Sequence, residues 1–436
     1  MKGDCFTNRE QKDMSNLHTH DNKRSSFSGK LGYVLSAAGA SVGLGNIWRF
    51  PYLAAKYGGG IFLLIYILLA LTFGYTMIMA ESAIGRMTRK SPVGAFQAFG
   101  KAGWLSAGGW INAIIPVLIV PYYSVIGGWV IKYLIEYIRG NGKMLAADGY
   151  FSEFISDGVS TELCFILFCL FTLTIIYAGV RNGIERVSKF MMPILIVLSV
   201  LIAVYSVTRP GAMEGVKYFL VPNVKNFSWM TVVAAMGQMF YSLSIAMGIL
   251  ITFGSYMKKE TSLEDSTRNV EVFDTAIAIM AGFGTVVGIL FFLLVLFAAV
   301  TSSIALTESA VSTFEDELGW SRRRATVLVG VIMIALGSLS SLGYGPLVGI
   351  KIIGMQFLDF FDFLTNSVMM PIAAMLTSLF VSRIVGMKRM EEEIMHGEST
   401  FRRKKIFIVM IKYLCPVFAL IILISSVANA FGWIAM

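Results

Sequence analysis

Apolar residues fill this chain in long blocks, parted by short polar and often basic segments. Eleven blocks approach the about 20 residues that a helix needs to cross bilayer hydrocarbon. They are 31–55, 60–86, 108–138, 162–180, 190–207, 230–255, 264–283, 286–314, 325–345, 359–385 and 406–433. Nothing of useful length is left for a soluble domain, so the pattern predicts an all-α polytopic membrane protein of eleven transmembrane helices. Two blocks are interrupted. "GASVGLGNIWRFP" (39–51) sets Gly39, Gly43, Gly45, Asn46, Arg49 and Pro51 within the first, and "GQMFYSLSIAMG" (237–248) sets Gln238, Ser242 and Ser244 in the middle of the sixth.

Composition agrees with this class. The 436 residues are 56% hydrophobic and 14% charged, with mean hydropathy +0.71, too few charges for a soluble protein of this size. The net charge of +9 is not a nucleic-acid patch, because its clusters fall at alternate loops. These are Lys23, Arg24 and Lys30; Arg86, Arg89 and Lys90; Arg181, Arg186 and Lys189; Lys258 and Lys259; Arg322 to Arg324; and Arg402 to Lys405. Intervening loops are poorer in Lys and Arg, and 146–162 carries Asp148, Glu153, Asp157 and Glu162. The positive-inside rule then predicts a multi-pass protein of the inner (plasma) membrane, with a cytoplasmic N-terminus and Met436 outside. Residues 1–30 read as a cytoplasmic tail without a signal-peptide pattern. Cys5, Cys164, Cys169 and Cys415 suggest no disulfide framework. His18, His20 and His396 all lie outside the spans, and no nucleophile–base set points to an enzyme.

The interruptions carry the chemistry. Gly39-x-x-x-Gly43 by itself fits close helix packing. Asn46 and Arg49 do not, since hydrocarbon penalises such groups by about 3 kcal/mol or less each on insertion scales, and Pro51 removes a helical donor. Irregular backbone at membrane depth is tolerated where it lines a cavity. Broken first and sixth helices are what an inverted five-helix repeat produces, with 31–207 and 230–385 as the halves and 386–436 as a cytoplasmic loop plus helix eleven. The helices are expected to be broken so that their backbone can hold a ligand.

At these residues the chain resembles the neurotransmitter:sodium symporter family, in its bacterial amino-acid branch with eleven spans. "GLGNIWRFP", "GGG" at 58–60, "YY" at 122–123, "TSS" at 301–303 and "FEDEL" at 314–318 carry the resemblance, which runs from about Arg24 through the eleventh span. It implies sodium-coupled amino-acid symport by alternating access, with two sodium ions. The first sodium site maps onto the carbonyl of Ser41, Asn46, Ser242 and Asp274. The second maps onto the carbonyls of Gly39, Val42 and Ala298 and the hydroxyls of Thr301 and Ser302. All supply the oxygen ligands that a hard cation prefers, although Thr301 and Ser302 equally fit bonding to a carbonyl one turn earlier.

Animal relatives carry asparagine at the place of Asp274 and balance charge with chloride, near the positions of Tyr66, Gln238 and Ser242. A fixed carboxylate here implies transport without chloride; the alternative is a protonated structural aspartate. Amine-transporting relatives carry aspartate at the place of Gly43, so a substrate that brings its own carboxylate is implied, held by sodium, amides around Gly45, and Tyr123. Tyr241, Ser244, Ala246, Met247, Leu306 and Ser302 complete the implied substrate set, whose apolar lining suits a hydrophobic or aromatic amino acid, and equally suits ordinary core. The resemblance places an outer gate at Arg49, Gln238 and Asp362 and an inner gate at Arg24, Ser255, Tyr256 and Asp316. Arg24 also fits simple positive-inside anchoring.

One departure stands out. Only 27 positions separate Asp274 from Thr301, where the family places an extracellular lid loop. "GFGT" (282–285) is expected to turn the chain tightly between two crossings. Two alternatives to symport follow: a protein that binds but does not transport, and a proton-coupled carrier in which Asp274 takes the proton.

Overall fold

Helix follows helix in the computed structural model, which describes residues 25–100, 102–281, 288–396, 398 and 400–433. Arg24 of the expected inner gate, most of the tail, and the turn expected at 282–285 lie outside these residues. In chain order the helices that build the core are α1 (Lys30–Ser41), α2 (Phe50–Lys56), α3 (Gly60–Thr88), α4 (Gly103–Ile138), α5 (Gly158–Tyr177) and α6 (Val180–Val207). They continue with α7 (Trp229–Ser242), α8 (Ile249–Ser255) and α9 (Leu263–Ala281). The last are α10 (Gly288–Leu318), α11 (Arg322–Leu342), α12 (Phe357–Val385) and α13 (Lys404–Ala430). Eight of them, among the described residues, are long and apolar enough to cross a membrane unbroken. The expected first and sixth spans are the pairs α1/α2 and α7/α8, and α9 lies in the block 264–283.

Several boundaries differ from the sequence expectation, most of all at α6. α6 begins at Val180, so Arg181, Arg186 and Lys189 ride on its first turns and not in a loop. Local pairing explains this: Glu185 receives Lys189 at 2.6 Å and the Ser28 amide at 2.9 Å, so the polar turns are satisfied.

Both breaks have local causes. α1 ends where Val42 turns extended (φ −75°, ψ 93°); the Asn46 side chain then accepts from the Gly43 amide at 3.3 Å, an alternative to helical pairing that asparagine offers readily. After Ser242 the backbone leaves the helix through left-handed Ser244 (φ 52°), Ala246 (φ 59°) and Gly248 (φ 69°). α3 and α8 meet backbone to backbone: a Cβ on Gly85 would lie 1.9 Å from the Ile251 carbonyl oxygen. That approach brings Glu81 of α3 to the unwound stretch after α7. α1 itself is buried along its whole length from Gly32 to Ser41, so the two breaks lie in the protein interior.

Candidate functional site

A cavity lies between the two breaks. Of the expected substrate set it is lined by Ser41, Gly43, Gly45, Tyr123, Tyr241, Ser244, Met247, Ser302 and Leu306, joined by Ala40, Leu44 and Ile119. Ser242 and Ala246 do not line it. The Ser242 hydroxyl faces Asp274, and the Ala246 amide is taken by Glu81. Side chains meet the backbone groups that the break in the first span frees. Tyr123 accepts from the Leu44 amide at 3.3 Å, Ser244 donates to the Ala40 carbonyl at 2.9 Å, and Gln238 donates to the Gly45 carbonyl at 2.8 Å.

Asp274 is fully buried and gathers three donors. Asn46 Nδ2 lies 2.7 Å from Oδ1, Tyr66 Oη lies 2.9 Å from Oδ2, and Ser242 Oγ lies 3.0 Å from Oδ1. The donors come from both broken spans and from α3, so one carboxylate ties four segments. Among the described residues no Lys, Arg or His forms an ion pair with it. Ser41 sits beside the break, its hydroxyl bonded to the Ala37 carbonyl at 3.1 Å.

The second expected set also converges. Ser302 Oγ lies 3.3 Å from the Gly39 carbonyl oxygen, 3.1 Å from that of Ala40 and 3.4 Å from that of Val42. Thr301 Oγ1 bonds back to Phe297 (3.0 Å) and Ala298 (3.1 Å). A Cβ on Gly39 would stand 3.2 Å from Thr301. Gly39, Val42, Ala298, Thr301 and Ser302 therefore share one oxygen-rich corner where α1 meets α10.

The gates are partly assembled. Arg49 lies over the Tyr241 ring, 5.4 Å from its centroid, and not in an ion pair with Asp362. Asp362 accepts instead from Asn366 at 2.5 Å and Tyr122 at 3.3 Å. At the opposite end Phe27 is buried, its ring edge-on to Tyr33, Phe253 and Tyr256. Tyr256 donates to Glu308 at 2.7 Å, Arg322 grips Glu308 at 2.5 and 3.0 Å, Asp316 accepts from the Ser91 amide at 2.6 Å, and Ser255 bonds to the Thr252 carbonyl at 2.6 Å.

Sequence reasoning passed over several other acids that lie buried in or beside the spans, among them Glu81, Glu136, Glu185, Glu271 and Glu308. The rule that singles out Asp274, that a carboxylate in a span is functional by default, applies to Glu81 and Glu308 as well. Glu81 is fully buried; one oxygen takes the Ala246 amide at 2.8 Å and the other has no partner among the described residues. It anchors the unwound stretch. Glu81→Ala leaves a dry N–H without an acceptor, at about 1–3 kcal/mol, so the detergent-solubilised variant is expected to unfold at a lower temperature. Glu81→Gln keeps an acceptor oxygen and should unfold near wild type; equal loss in both would contradict the anchoring role.

The profile of the sodium:neurotransmitter symporter family matches residues 24–145, 151–287 and 271–432. The chain belongs to this family. It is therefore a sodium-coupled membrane transporter. Similar proteins include the sodium-dependent transporter YhdH of Bacillus subtilis, 30% identical over 410 residues that cover 86% of this chain and 91% of that protein. A sodium-dependent transporter of Haemophilus influenzae is 29% identical over 457 residues, covering 94% of this chain and all of that one. That alignment has more positions than this symporter has residues, so its relative carries residues missing here. Among solved structures, MhsT in complex with L-phenylalanine superposes with a TM-score of 0.84 at 33% identity, covering 92% of this chain and 100% of that one.

Proposed function

We propose that this symporter imports an amino acid with a hydrophobic or aromatic side chain, driven by two sodium ions and without chloride. The observation that carries this reading is the placement of a narrow apolar cavity between two backbone breaks, beside a buried aspartate whose three hydrogen-bond donors are all neutral. A substrate carboxylate fits at the Leu44 amide and Tyr123 hydroxyl. Sodium fits between that carboxylate and Asp274, with Ser41, Asn46 and Ser242, and supplies the positive charge that two facing carboxylates require. The second ion fits the corner of Gly39, Val42, Ala298, Thr301 and Ser302. Ile119, Met247 and Leu306 meet the side chain, and the L-phenylalanine in complex with MhsT agrees with an apolar lining. The halves 31–207 and 230–385 would move about this site, with the N-terminus in the cytoplasm and Met436 outside.

The decisive experiment is uptake of labelled phenylalanine, tyrosine, tryptophan and leucine into proteoliposomes under an inward sodium gradient, in chloride and in gluconate. Accumulation that follows the gradient and ignores the anion is expected. A second reading has its own observation: Ala281 and Gly288 end and begin helices only a few residues apart, which leaves no room for a large lid. If the protein binds without transporting, detergent samples will show sodium-dependent binding while vesicles show no accumulation. Uptake driven by a pH gradient in sodium-free medium would overturn both in favour of proton coupling.

A further inference from the structure

Glu271 lies one helical turn from Asp274 on α9, and at that spacing side chains share a face with Cβ atoms about 5–6 Å apart. It is 3% exposed, and among the described residues its one ion pair is with Arg403 at 3.2 Å. Arg403 stands just before α13, far away in sequence. The same guanidinium donates to the Leu71 carbonyl at 3.3 Å and lies over the Tyr75 ring, 4.5 Å from its centroid. Leu71 falls in the π-helical stretch Ala70–Gly74 of α3, where wider winding leaves a carbonyl to be met from outside the helix. One side chain thus touches the two helices that carry Tyr66 and Asp274.

A buried ion pair is a poor stabiliser, because desolvation offsets most of its attraction. An apolar pair would hold α3, α9 and α13 together as well. What charge adds here is a field. Glu271 alone would place a second negative charge near Asp274; Arg403 alone would place a positive one there. Paired, they cancel, and neither adds a net charge beside Asp274.

We propose that the Glu271–Arg403 pair is an electrostatic positioning element for sodium: it places a carboxylate one turn from Asp274, holds a counter-charge on that carboxylate, and thereby sets the sodium affinity of the first site. This inference rests on the sodium site proposed above.

The test is sodium titration of L-phenylalanine binding to detergent-solubilised protein. Glu271→Gln leaves Arg403 without its counter-charge, and the half-saturating sodium concentration is expected to rise on the order of tenfold, from the Coulomb energy of a unit charge at this range. At saturating sodium the amino-acid affinity should hold. Glu271→Gln with Arg403→Gln removes both charges, shortens the side chain at 403, and should return sodium dependence to within about twofold of wild type. Rescue is the discriminating result, since a merely mechanical brace would be weaker in the double variant than in the single one. No change in the single variant, or no recovery in the double, overturns the proposal. Should Glu271→Gln fail to fold, Arg403→Lys with the double variant decides: both should match wild type in sodium dependence, and a shift in either overturns the proposal. If wild type itself shows no sodium-dependent binding, it is the sodium-site reading that fails.

Discussion

Asp274→Ala is expected to weaken sodium-dependent amino-acid binding by at least about 100-fold. The substitution removes the formal charge from the proposed first sodium site and leaves Asn46, Tyr66 and Ser242 facing a void. Each loses a hydrogen bond to a charged group, worth about 1.5–3 kcal/mol, and about 1.4 kcal/mol is a tenfold change in affinity. Asp359→Ala is the control, because Asp359 is exposed near the start of α12 and an exposed change of this kind stays within about 0.5 kcal/mol. Scintillation binding at a series of sodium concentrations measures both. Equal losses would remove Asp274 from the ligand set. Asp274→Asn is more specific: it keeps the shape and loses the charge. Sodium-dependent binding should then require chloride, admitted beside Tyr66, Gln238 and Ser242; no recovery on adding chloride would count against a charge-balancing role.

Gly43→Ala is expected to lower amino-acid affinity by roughly ten- to a hundredfold, even with sodium saturating. A Cβ built at Gly43 would stand 2.5 Å from Ser302 Oγ and 3.0 Å from Tyr123 Oη. Those two hydroxyls meet the Ala40 carbonyl at the broken end of α1 and the Leu44 amide beyond it, so neither moves aside without uncovering a backbone group. Overpacking of this kind costs about 1–3 kcal/mol. The same crowding argues that the cavity has no place for the acidic side chain that amine carriers hold at this position. Phenylalanine displacement curves on the purified variant measure the effect, and wild-type affinity would show that the cavity is roomier at this corner than its contacts imply.

The hydrophobic blocks and the two interruptions were legible from the chain itself. Glycine, asparagine and a proline inside apolar runs leave few structures that satisfy a backbone in hydrocarbon, so broken helices around a cavity followed from local chemistry. Asp274 could be singled out for the same reason, a carboxylate in a span with nothing nearby in sequence to neutralise it. By that logic Glu81 and Glu308 were equally visible, and they were missed because no motif drew attention to them. What the sequence could not decide is where each freed group would find its partner. Only the packed bundle turns Ser242 toward Asp274 and away from the cavity, gives the Ala246 amide to Glu81, seats Arg49 on Tyr241 and not on Asp362, and brings Arg403 against Glu271. Local periodicity and composition determined the helices and their breaks, because a backbone in hydrocarbon has few alternatives. The pairings between helices came from tertiary structure alone, because a polar side chain bonds whichever donor or acceptor the close approach of two backbones, such as Gly85 against Ile251, brings within about 3 Å.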